Sequence, residues 1–331
     1  MKRSDFFYDL PEELIAQTGI DDRSAARMMV IDRKSSVISH SVFSAISGHL
    51  QPDDVLVVND TKVFKARIPA HKVTGGKVEV LLINALAGNK WEALVSHGKR
   101  VRQGDRLLFG SDAHAMVEEK KPGARMVLDL SDDAGRIISQ YGTVPLPRYI
   151  RRPALSKDEG RYQTTYAKHA GSIAAPTAGL HFTEEIFDAL RARGIAVTEI
   201  TLHIGPGTFK PIRSEHIEEH SMDAEFFDIP DRTIAAIERA QRVIAVGTSV
   251  CRTLETYAMT KEKSGWADLF IYPGHRFRTV TGLVTNFHLP RSTPLLLVCA
   301  FAGRDIIFRA YEEAIRSKYR FLSYGDGMLI L

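Results

Sequence analysis

Short apolar runs separated by turn residues dominate one stretch of the chain, from Lys65 to Tyr149. The runs follow one another at a spacing of roughly 8–12 residues, which is typical of a small antiparallel barrel or sandwich. Glycine, asparagine, aspartate and proline supply the turns between them. The predicted strands are residues 78–83, 91–95, 106–109, 115–117 and 126–130.

On either side of this stretch the pattern changes to strands that alternate with helices. Thr183 is expected to cap the first helix after Tyr149, and Thr293 to cap an apolar helix that Gly303 ends. The predicted strands are residues 28–32, 54–58, 196–203 and 243–246, with a strand-like tail at 319–331. The predicted helices are residues 44–50, 182–193, 295–302 and 305–318, with two more starting near 231 and 250.

This alternation predicts a fold of the α/β class. A mixed-sheet α/β domain, formed discontinuously by residues 1–64 and 150–331, is interrupted by an inserted antiparallel β-barrel domain at residues 65–149. Helices through residues 78–130 would contradict the barrel.

Two segments of unusual composition flank the helix at 182–193. Residues 171–183 and residues 201–209 combine apolar side chains with a histidine, proline and several glycines. Exposed loops are more polar than this, and core strands carry less glycine and proline. The segments therefore predict the walls of a buried pocket. The alternative is a pair of tight turns packed under a domain interface.

Polar residues also follow several predicted strands directly. Asn59 and Asp60 follow the second strand, and Gly247 to Ser249 follow the strand at 243–246. Asn286 to His288 and the segment around Asp326 have the same character. Ligands of open α/β sheets bind at such strand ends, so one pocket is predicted from residues 171–183, 201–209, 247–249 and 286–288. Each segment taken alone is also compatible with an ordinary turn.

A five-residue match to the inverted zinc-hydrolase pattern His-x-x-Glu-His occurs at His216 to His220. The surrounding segment is almost wholly polar, whereas the pattern needs a long buried helix to present both histidines on one face. No metal site is therefore predicted, and a zinc hydrolase remains a competing class that chelators would inactivate.

Two basic clusters lie in or beside the predicted barrel. Arg148, Arg151 and Arg152 surround a tyrosine at its boundary, and a turn within it carries further cations, namely Lys99, Arg100 and Arg102. Cations beside an aromatic residue suit a nucleic-acid backbone. The alternative is a solvated charged surface.

Composition narrows the class of protein. The 331 residues are 44% hydrophobic and 25% charged, with a net charge of +4, as in an ordinary globular protein with a mildly basic surface. Cys251 and Cys299 lie in apolar segments and are expected to be reduced core residues. We find no signal peptide and no apolar run long enough to span a membrane, so a cytoplasmic location is expected.

Taken in order, these segments resemble one family, the S-adenosylmethionine:tRNA ribosyltransferase-isomerases of queuosine biosynthesis. The resemblance runs through the whole chain, and no single motif carries it. Its segments are residues 8–17, 58–63, 79–82, 162–164, 171–183, 201–209, 246–248, 270–274, 285–290, 292–293 and 319–328.

The chain departs from the family pattern in two places. Members usually read His-x-Met-His-x-Glu where this chain has Asp223 in place of the second histidine. Members also tend to have Ile-Pro where this chain has Phe64 and Lys65. Any role that the family gives to position 223 is therefore in doubt here.

The resemblance implies an α/β domain with a β-barrel and a transferase that consumes S-adenosylmethionine as a ribosyl donor. The ribosyl group goes to 7-aminomethyl-7-deazaguanine at the wobble position of tRNA and rearranges to epoxyqueuosine, and adenine and methionine are released. No metal or redox cofactor is implied. The expected partners are tRNA and S-adenosylmethionine, without a membrane, and a monomer is expected. A non-catalytic RNA-binding module is the other competing class.

That chemistry needs a base for the 5′ carbon, an acid for adenine and a carboxylate near the cations. We favour His203 slightly over His181 for proton transfer, and Asp60 or Asp326 near the sulfonium or an amine. Asn286, His288 and Thr248 are expected to hold ribose hydroxyls or adenine. The remaining pocket-wall residues expected to bind substrate are Thr177, Gly179, Gly205, Gly207 and Gly247. The basic clusters are expected to bind tRNA.

Overall fold

The computed structural model describes residues 1–209 and 212–331, except for the side chains of Thr208 and Phe209. Its strands are β1 (Arg27–Asp32), β2 (Val37–Val42), β3 (Asp54–Asn59), β4 (Thr61–Val63), β5 (Arg67–Lys72), β6 (Lys77–Ala85), β7 (Lys90–Val95), β8 (Arg106–Phe109), β9 (Ala113–Lys120), β10 (Arg125–Leu130), β11 (His169–Ser172), β12 (Ala196–Leu202), β13 (Glu225–Asp228), β14 (Arg242–Val246), β15 (Ser264–Ala267), β16 (Gly282–Asn286) and β17 (Gly327–Ile330).

The α-helices are α1 (Ala134–Tyr141), α2 (Asp158–Arg161), α3 (Glu184–Ala192), α4 (Asp231–Arg239), α5 (Thr248–Thr260), α6 (Thr293–Ala302) and α7 (Arg304–Arg316). Short 3₁₀ helices span Arg3–Phe6, Glu12–Leu14, Arg23–Ala25, Phe43–His49, Gly98–Arg100, Pro122–Ala124, Thr177–His181, Pro206–Phe209 and Ile217–Glu219. No helix within 1–209 and 212–331 is both long and apolar enough to cross a membrane.

The α/β domain is built on a nine-stranded mixed sheet in the order β15-β13-β12-β3-β14-β16-β17-β1-β2. Strands β12, β3, β14 and β16 run parallel to one another. Strand β17 is antiparallel to β16 and parallel to β1. The four parallel strands therefore end at one edge of the sheet, where β17 and β1 begin. The predicted mixed-sheet α/β fold is confirmed.

Side chains on the central strands alternate strictly between two apolar layers. In β3, Val55 and Val57 pack into one layer, while Leu56 and Val58 pack into the other. Helices α5, α6 and α7 cover the first layer, and α3 with the 3₁₀ helix Phe43–His49 covers the second. Because both faces are covered, the central strands read as continuous apolar runs.

The barrel is closed and six-stranded, in the order β10-β7-β6-β5-β8-β9. Every pairing within it is antiparallel, which confirms the predicted barrel. Its strands run from Arg67 to Leu130, and Ile137 of α1 packs into its core. All of these elements lie within the segment 65–149. Closure leaves the barrel no free strand edge.

One arginine of the barrel contacts the α/β domain. Arg125, at the start of β10, lies 3.1 Å from Glu92 of the barrel and 2.9 Å from Asp223. Asp223 in turn packs against Gly207, where an added Cβ would lie 2.6 Å from the aspartate Cβ. The ion pair therefore joins the barrel to the loop that follows β12.

Some local predictions differ from the structure. The predicted helix at 44–50 is the 3₁₀ helix Phe43–His49. Ser292 rather than Thr293 caps α6, because the Ser292 hydroxyl accepts the backbone N–H of Leu295. Thr183 precedes α3 as expected, but its side chain makes no capping hydrogen bond to the backbone of the helix.

A tight turn closes the C-terminal end of the sheet. The backbone N–H of Gly325 donates to the carbonyl of Leu322 at 2.9 Å, and this directs Asp326 toward two other elements. The Asp326 carboxylate accepts the backbone N–H groups of Arg27 at 3.0 Å and Arg320 at 2.8 Å. Asp326 thus fixes the start of β17 beside β1.

This turn has no room for a side chain at position 325. An added Cβ on Gly325 would lie 2.4 Å from the carbonyl oxygen of Arg320, a backbone atom that cannot move aside. We expect Gly325→Ala to destabilise the fold by about 1–3 kcal/mol, the usual range for overpacking. Gly160→Ala is the control, because nothing lies within 4 Å of its added Cβ. Thermal unfolding that gives both variants the same melting temperature would contradict this assignment.

Candidate active site

The carboxyl ends of the parallel strands bring several predicted site residues to one edge of the sheet. Strand β3 ends at Asn59, whose amide nitrogen donates to the carbonyl of Leu202 at 2.9 Å. The amide oxygen of Asn59 accepts the backbone N–H groups of Leu202 at 3.0 Å and Thr61 at 3.1 Å. This buried amide fixes the residues after β3 against the residue after β12, which is His203.

His203 lies in a network of hydroxyl groups. Its Nδ1 is 2.8 Å from Thr61 Oγ1, and the Thr61 hydroxyl donates to Ser172 Oγ at 2.9 Å. We assign the Nδ1 proton to His203, because the Thr61 proton is then directed to Ser172. The Nε2 of His203 consequently carries the lone pair and can accept a proton.

Glycine at position 171 makes room for this imidazole. An added Cβ on Gly171 would lie 2.7 Å from three atoms of the His203 ring. Burial and the neighbouring His169 lower the pKa of His203, and the charge of Asp60 partly opposes this shift. His203 is therefore a half-buried, neutral base at neutral pH.

Asp60 is the buried carboxylate of this edge, with 3% of its surface exposed. Its Oδ1 accepts the Thr201 hydroxyl at 2.7 Å, and its Oδ2 lies 3.6 Å from Nε2 of His169. A buried carboxylate with an incompletely occupied oxygen is suited to stabilise a neighbouring cation.

The 3₁₀ helix Thr177–His181 lies across the same edge. The Thr177 hydroxyl donates to Asn286 Oδ1 at 2.7 Å, at the end of β16. Gly247, at the end of β14 with φ of 98°, lies against Ala178. Gly179 lies under the Tyr166 hydroxyl, which an added Cβ would approach to 2.0 Å. We call Asp60, Thr61, Thr177, His203 and Asn286 the edge site.

His181 differs from His203 in its surroundings. Its ring stacks on Phe43 with centroids 4.0 Å apart, and its Nε2 lies 3.5 Å from Nδ2 of Asn286. Burial lowers the pKa of His181 to about 3. The imidazole therefore stays neutral near pH 7 and lies within hydrogen-bond distance of Asn286.

His288 does not join this group, so the predicted pocket shared by the three histidines is wrong in this respect. Thr285 and Asn286 are consecutive residues of β16, so their side chains point to opposite faces of the sheet. His288 bonds to Thr285 at 2.7 Å, and its backbone N–H donates to the Tyr311 hydroxyl at 2.9 Å. Tyr311 belongs to the layer opposite Phe43.

The remaining predicted binding residues have other surroundings. Asp326 lies at the same edge, but its carboxylate is engaged by Arg27 and Arg320. The N–H of Gly205 donates to Glu225 Oε1 at 2.8 Å, and Gly207 packs against Asp223. Thr248 begins α5 and is half-buried. The predicted wall 201–209 ends in the side chains of Thr208 and Phe209, which lie outside the described part of the chain.

The predicted basic clusters divide into engaged and exposed side chains. The two Nη atoms of Arg152 donate to the Asp158 carboxylate at 2.6 and 2.8 Å. Those of Arg151 donate to the Glu12 carboxylate at 2.7 and 2.9 Å. Arg152 is mostly buried, so its guanidinium joins two parts of the segment after the barrel and does not face solvent. Within the two clusters, four cations are exposed and form no ion pair with residues 1–209 or 212–331, namely Lys99, Arg100, Arg102 and Arg148.

The His216-to-His220 match does not form the helical face that its pattern requires. Only the three residues Ile217–Glu219 are helical, as a 3₁₀ turn. Across 1–209 and 212–331, no three His, Cys, Asp or Glu side chains are grouped to hold a metal ion.

Sequence reasoning missed several residues that shape the edge. Asn59 and Thr61 flank the predicted Asp60, and Ser172 lies in a predicted pocket wall. The sequence therefore indicated where these residues lie but not which hydrogen bonds they make. Tyr166 had no signal, although its buried hydroxyl lies over Gly179 and has no partner in the described structure.

Comparison with known proteins agrees with the sequence resemblance. The family model described as "Queuosine biosynthesis protein" matches residues 3–330. A relative from Caldanaerobacter subterraneus subsp. tengcongensis, named S-adenosylmethionine:tRNA ribosyltransferase-isomerase, is 47% identical over 343 residues, with 100% of both chains covered. A relative of the same name from Halothermothrix orenii is 45% identical over 343 residues, again with 100% of both chains covered.

A solved structure is also similar along its length. The crystal structure of S-adenosylmethionine tRNA ribosyltransferase from Thermotoga maritima is 37% identical, with a TM-score of 0.57. The match covers 99% of this chain and 100% of that chain.

The buried histidines generate a prediction about acid stability. Burial lowers the pKa of both His181 and His288 to about 3, whereas the ordinary value is 6.5. As the pH falls below 6.5, the unfolded chain binds protons that the folded chain does not, so stability is lost. Each histidine contributes up to about 1.4 kcal/mol per pH unit between these values.

We expect His288→Gln to reduce the slope of unfolding free energy against pH between pH 4 and pH 6, measured by chemical denaturation. His71→Gln is the matched control, because the same substitution is then made at an exposed histidine. A His288→Gln slope equal to that of the unmodified chain would show that His288 is charged in the folded protein.

Proposed function

The chain belongs to the family of queuosine biosynthesis proteins, and we propose that its edge site is where S-adenosylmethionine and the target base of tRNA react. The chain is a ribosyltransferase-isomerase that transfers and rearranges the ribosyl group of S-adenosylmethionine. The acceptor is 7-aminomethyl-7-deazaguanine at the wobble position of tRNA. The products are epoxyqueuosine in tRNA, adenine and methionine.

One observation carries the assignment to the edge site: a neutral histidine lies beside a buried carboxylate, and its Nε2 has no hydrogen-bond partner in residues 1–209 and 212–331. The sulfonium acidifies the adjacent 5′ carbon, whose proton must pass to a base. His203 accepts this proton at Nε2, while Thr61 and Ser172 hold the ring in one tautomer. The charge of Asp60 raises the pKa of His203 and so favours the imidazolium that results.

Asp60 has a second role in this proposal. Both the sulfonium of S-adenosylmethionine and the protonated form of the acceptor amine are cations. The buried carboxylate stabilises a cation beside it and orients the sulfonium toward His203. The amine must then lose a proton before its nitrogen attacks the ribosyl carbon.

Thr177 and Asn286 provide the polar contacts for the nucleoside. Their mutual hydrogen bond and the support of His181 fix both side chains at the end of β16. A hydroxyl and an amide so fixed can bind ribose hydroxyls or the adenine edge, and adenine leaves from this position. The flanking glycines, Gly179 and Gly247, let the backbone approach the ligand closely.

The basic turn of the barrel is the proposed tRNA contact. Gly98 packs against Ala124, whose Cβ would lie 3.0 Å from an added Cβ on Gly98. Ala124 precedes Arg125, whose ion pair with Asp223 reaches the loop after His203. Lys99, Arg100 and Arg102 are therefore close along the chain to the part of the barrel that contacts the loop after His203. The wobble base is unpaired in the anticodon loop and can enter such a site.

The reaction is proposed to need no metal or redox cofactor, because S-adenosylmethionine itself supplies the activated carbon and both leaving groups. The edge site is contributed by one chain, so we propose a monomer that acts in the cytoplasm, where tRNA is modified. Sedimentation at micromolar concentration would show a dimer if this were incorrect.

The direct test of the function is release of adenine. The protein, S-adenosylmethionine and tRNA that carries the 7-aminomethyl base should yield adenine and modified tRNA in equal amounts. A protein that binds this tRNA but releases no adenine would be a binding module instead. Inactivation by a chelator and recovery with zinc would favour the hydrolase class.

We expect His203→Ala to lower the turnover number by roughly 100-fold or more, the usual contribution of a proton-transfer group. The dissociation constant of S-adenosylmethionine should change much less, because the group acts mainly in the transition state. In the unmodified enzyme, the acid limb of the pH–rate profile should lie below pH 6.5, since burial lowers the pKa of His203 from that value.

His181→Ala is the paired variant. Loss of its stacking on Phe43 should lower the melting temperature, and the activity per folded molecule should retain the acid limb. If His181→Ala removes the acid limb and His203→Ala keeps it, the two roles are reversed.

A second prediction concerns tRNA. Replacing Lys99, Arg100 and Arg102 with alanine should weaken tRNA binding and reduce the slope of log affinity against log salt by roughly 2, since each phosphate contact contributes roughly 0.7–0.9. The control replaces three exposed cations outside the barrel, namely Lys34, Arg239 and Lys261, with the same change in net charge. Equal salt slopes for the two triple variants would place the tRNA elsewhere.

A further inference from the structure

Arg252 is a buried arginine with donors that the described structure does not use. It lies on α5, and only 7% of its side chain is exposed. Its Nη2 donates to Oε2 of Glu225, whose side chain is 2% exposed. Its Nη1 is also buried and has no hydrogen-bond partner among the described residues. Two N–H donors of a buried cation are therefore left for a ligand.

Such an arrangement is costly for stability alone. A buried ion pair often stabilises a fold no more than apolar residues of the same volume would. Burial lowers the pKa of Arg252 to about 10, and the charge of Asp268 opposes this shift only in part. An unpaired guanidinium nitrogen adds a further cost. An anionic ligand at Nη1 would offset both the lost hydration of the guanidinium and the missing hydrogen bond.

The position of the pair connects it to the edge site. Glu225 Oε1 accepts the N–H of Gly205, two residues after His203. The next residue, Phe226, points to the opposite face of β13 and stacks on His203 with centroids 6.0 Å apart. The ion pair and His203 therefore lie on opposite faces of the sheet and are joined around its edge by the contact with Gly205. Arg252 lies one helical turn after Thr248, on the same face of α5. A ligand at the start of α5 thus has Arg252 within one turn.

We propose that Nη1 of Arg252 binds the α-carboxylate of the methionine part of S-adenosylmethionine, and that Glu225 is the positioning residue that orients the guanidinium. This inference rests on the proposed function of the edge site. The sulfonium links the reacting 5′ carbon to the amino-acid part, so one molecule can place its 5′ carbon at His203 and its carboxylate at Arg252.

The carboxylate gives the experiment its probe. Decarboxylated S-adenosylmethionine keeps the sulfonium, ribose and adenine but lacks this one group. The unmodified protein should bind S-adenosylmethionine roughly 10- to 100-fold more tightly than the decarboxylated compound, as expected for a charge-assisted hydrogen bond. Calorimetry with the two compounds measures this ratio without relying on turnover.

In Arg252→Gln the ratio should fall to about 3-fold or less, because the glutamine amide offers no charge. Since that variant leaves Glu225 unpaired, the double variant Arg252→Gln with Glu225→Gln provides a neutral pair and should give the same low ratio. Arg242→Gln is the matched control: it breaks a different arginine–carboxylate pair, with Asp54 at 2.6 Å, at the far end of β14. Its ratio should equal that of the unmodified protein.

A ratio that persists in the double variant, or is absent from the unmodified protein, would overturn the proposal. Failure of the proposed function would be seen differently, as no release of adenine from S-adenosylmethionine in the presence of the modified tRNA. Because the ratio is a binding measurement made within each variant, neither partial unfolding nor lost turnover can imitate the expected result.

Discussion

The buried amide of Asn59 is the contact on which the rest of the edge site depends. It is fully buried, and it bonds to both backbone groups of Leu202 and to the N–H of Thr61. A buried amide that lost one of these partners would incur a desolvation cost, so the register of β3 and β12 at their ends is strongly fixed. His203 is thereby held against Thr61, so the position of its imidazole follows from contacts between a buried side chain and the backbone.

The two histidines of the predicted walls show how burial divides roles between similar residues. Both rings lie beside glycine-containing segments, but His181 is fully enclosed and stacked on Phe43, whereas His203 is half-buried beside Asp60. Full enclosure keeps the pKa of His181 far below neutrality. His203 has a nearby carboxylate that supports its charged form. A residue's capacity for proton transfer therefore depends on its surroundings more than on its identity.

The sequence was sufficient for the fold and for part of the site. Apolar runs and turn residues predicted the barrel, and strand ends followed by polar residues predicted Asp60, His203, Thr177 and Asn286 at one edge, because parallel strands end together. The sequence did not predict on which face of the sheet His288 lies, since a shift of one residue along a strand moves a side chain to the other face. It was also insufficient for Arg152, because a cluster of cations does not reveal that Asp158 lies behind one of them.

Asp223 shows why such long-range partners are hidden from the sequence. As a departure from the family pattern, it exchanges a ring for a carboxylate, which taken alone suggests a lost function. In the structure that carboxylate meets Arg125, 98 positions away along the chain, and packs on Gly207. Glu225, two residues on, holds Gly205 of the same loop and is paired with Arg252. The loop after His203 is thus fixed by two carboxylates whose arginine partners come from the barrel and from α5, and neither pairing follows from hydrophobic periodicity. The loop after His203 is therefore held by contacts from both the barrel and the α/β domain.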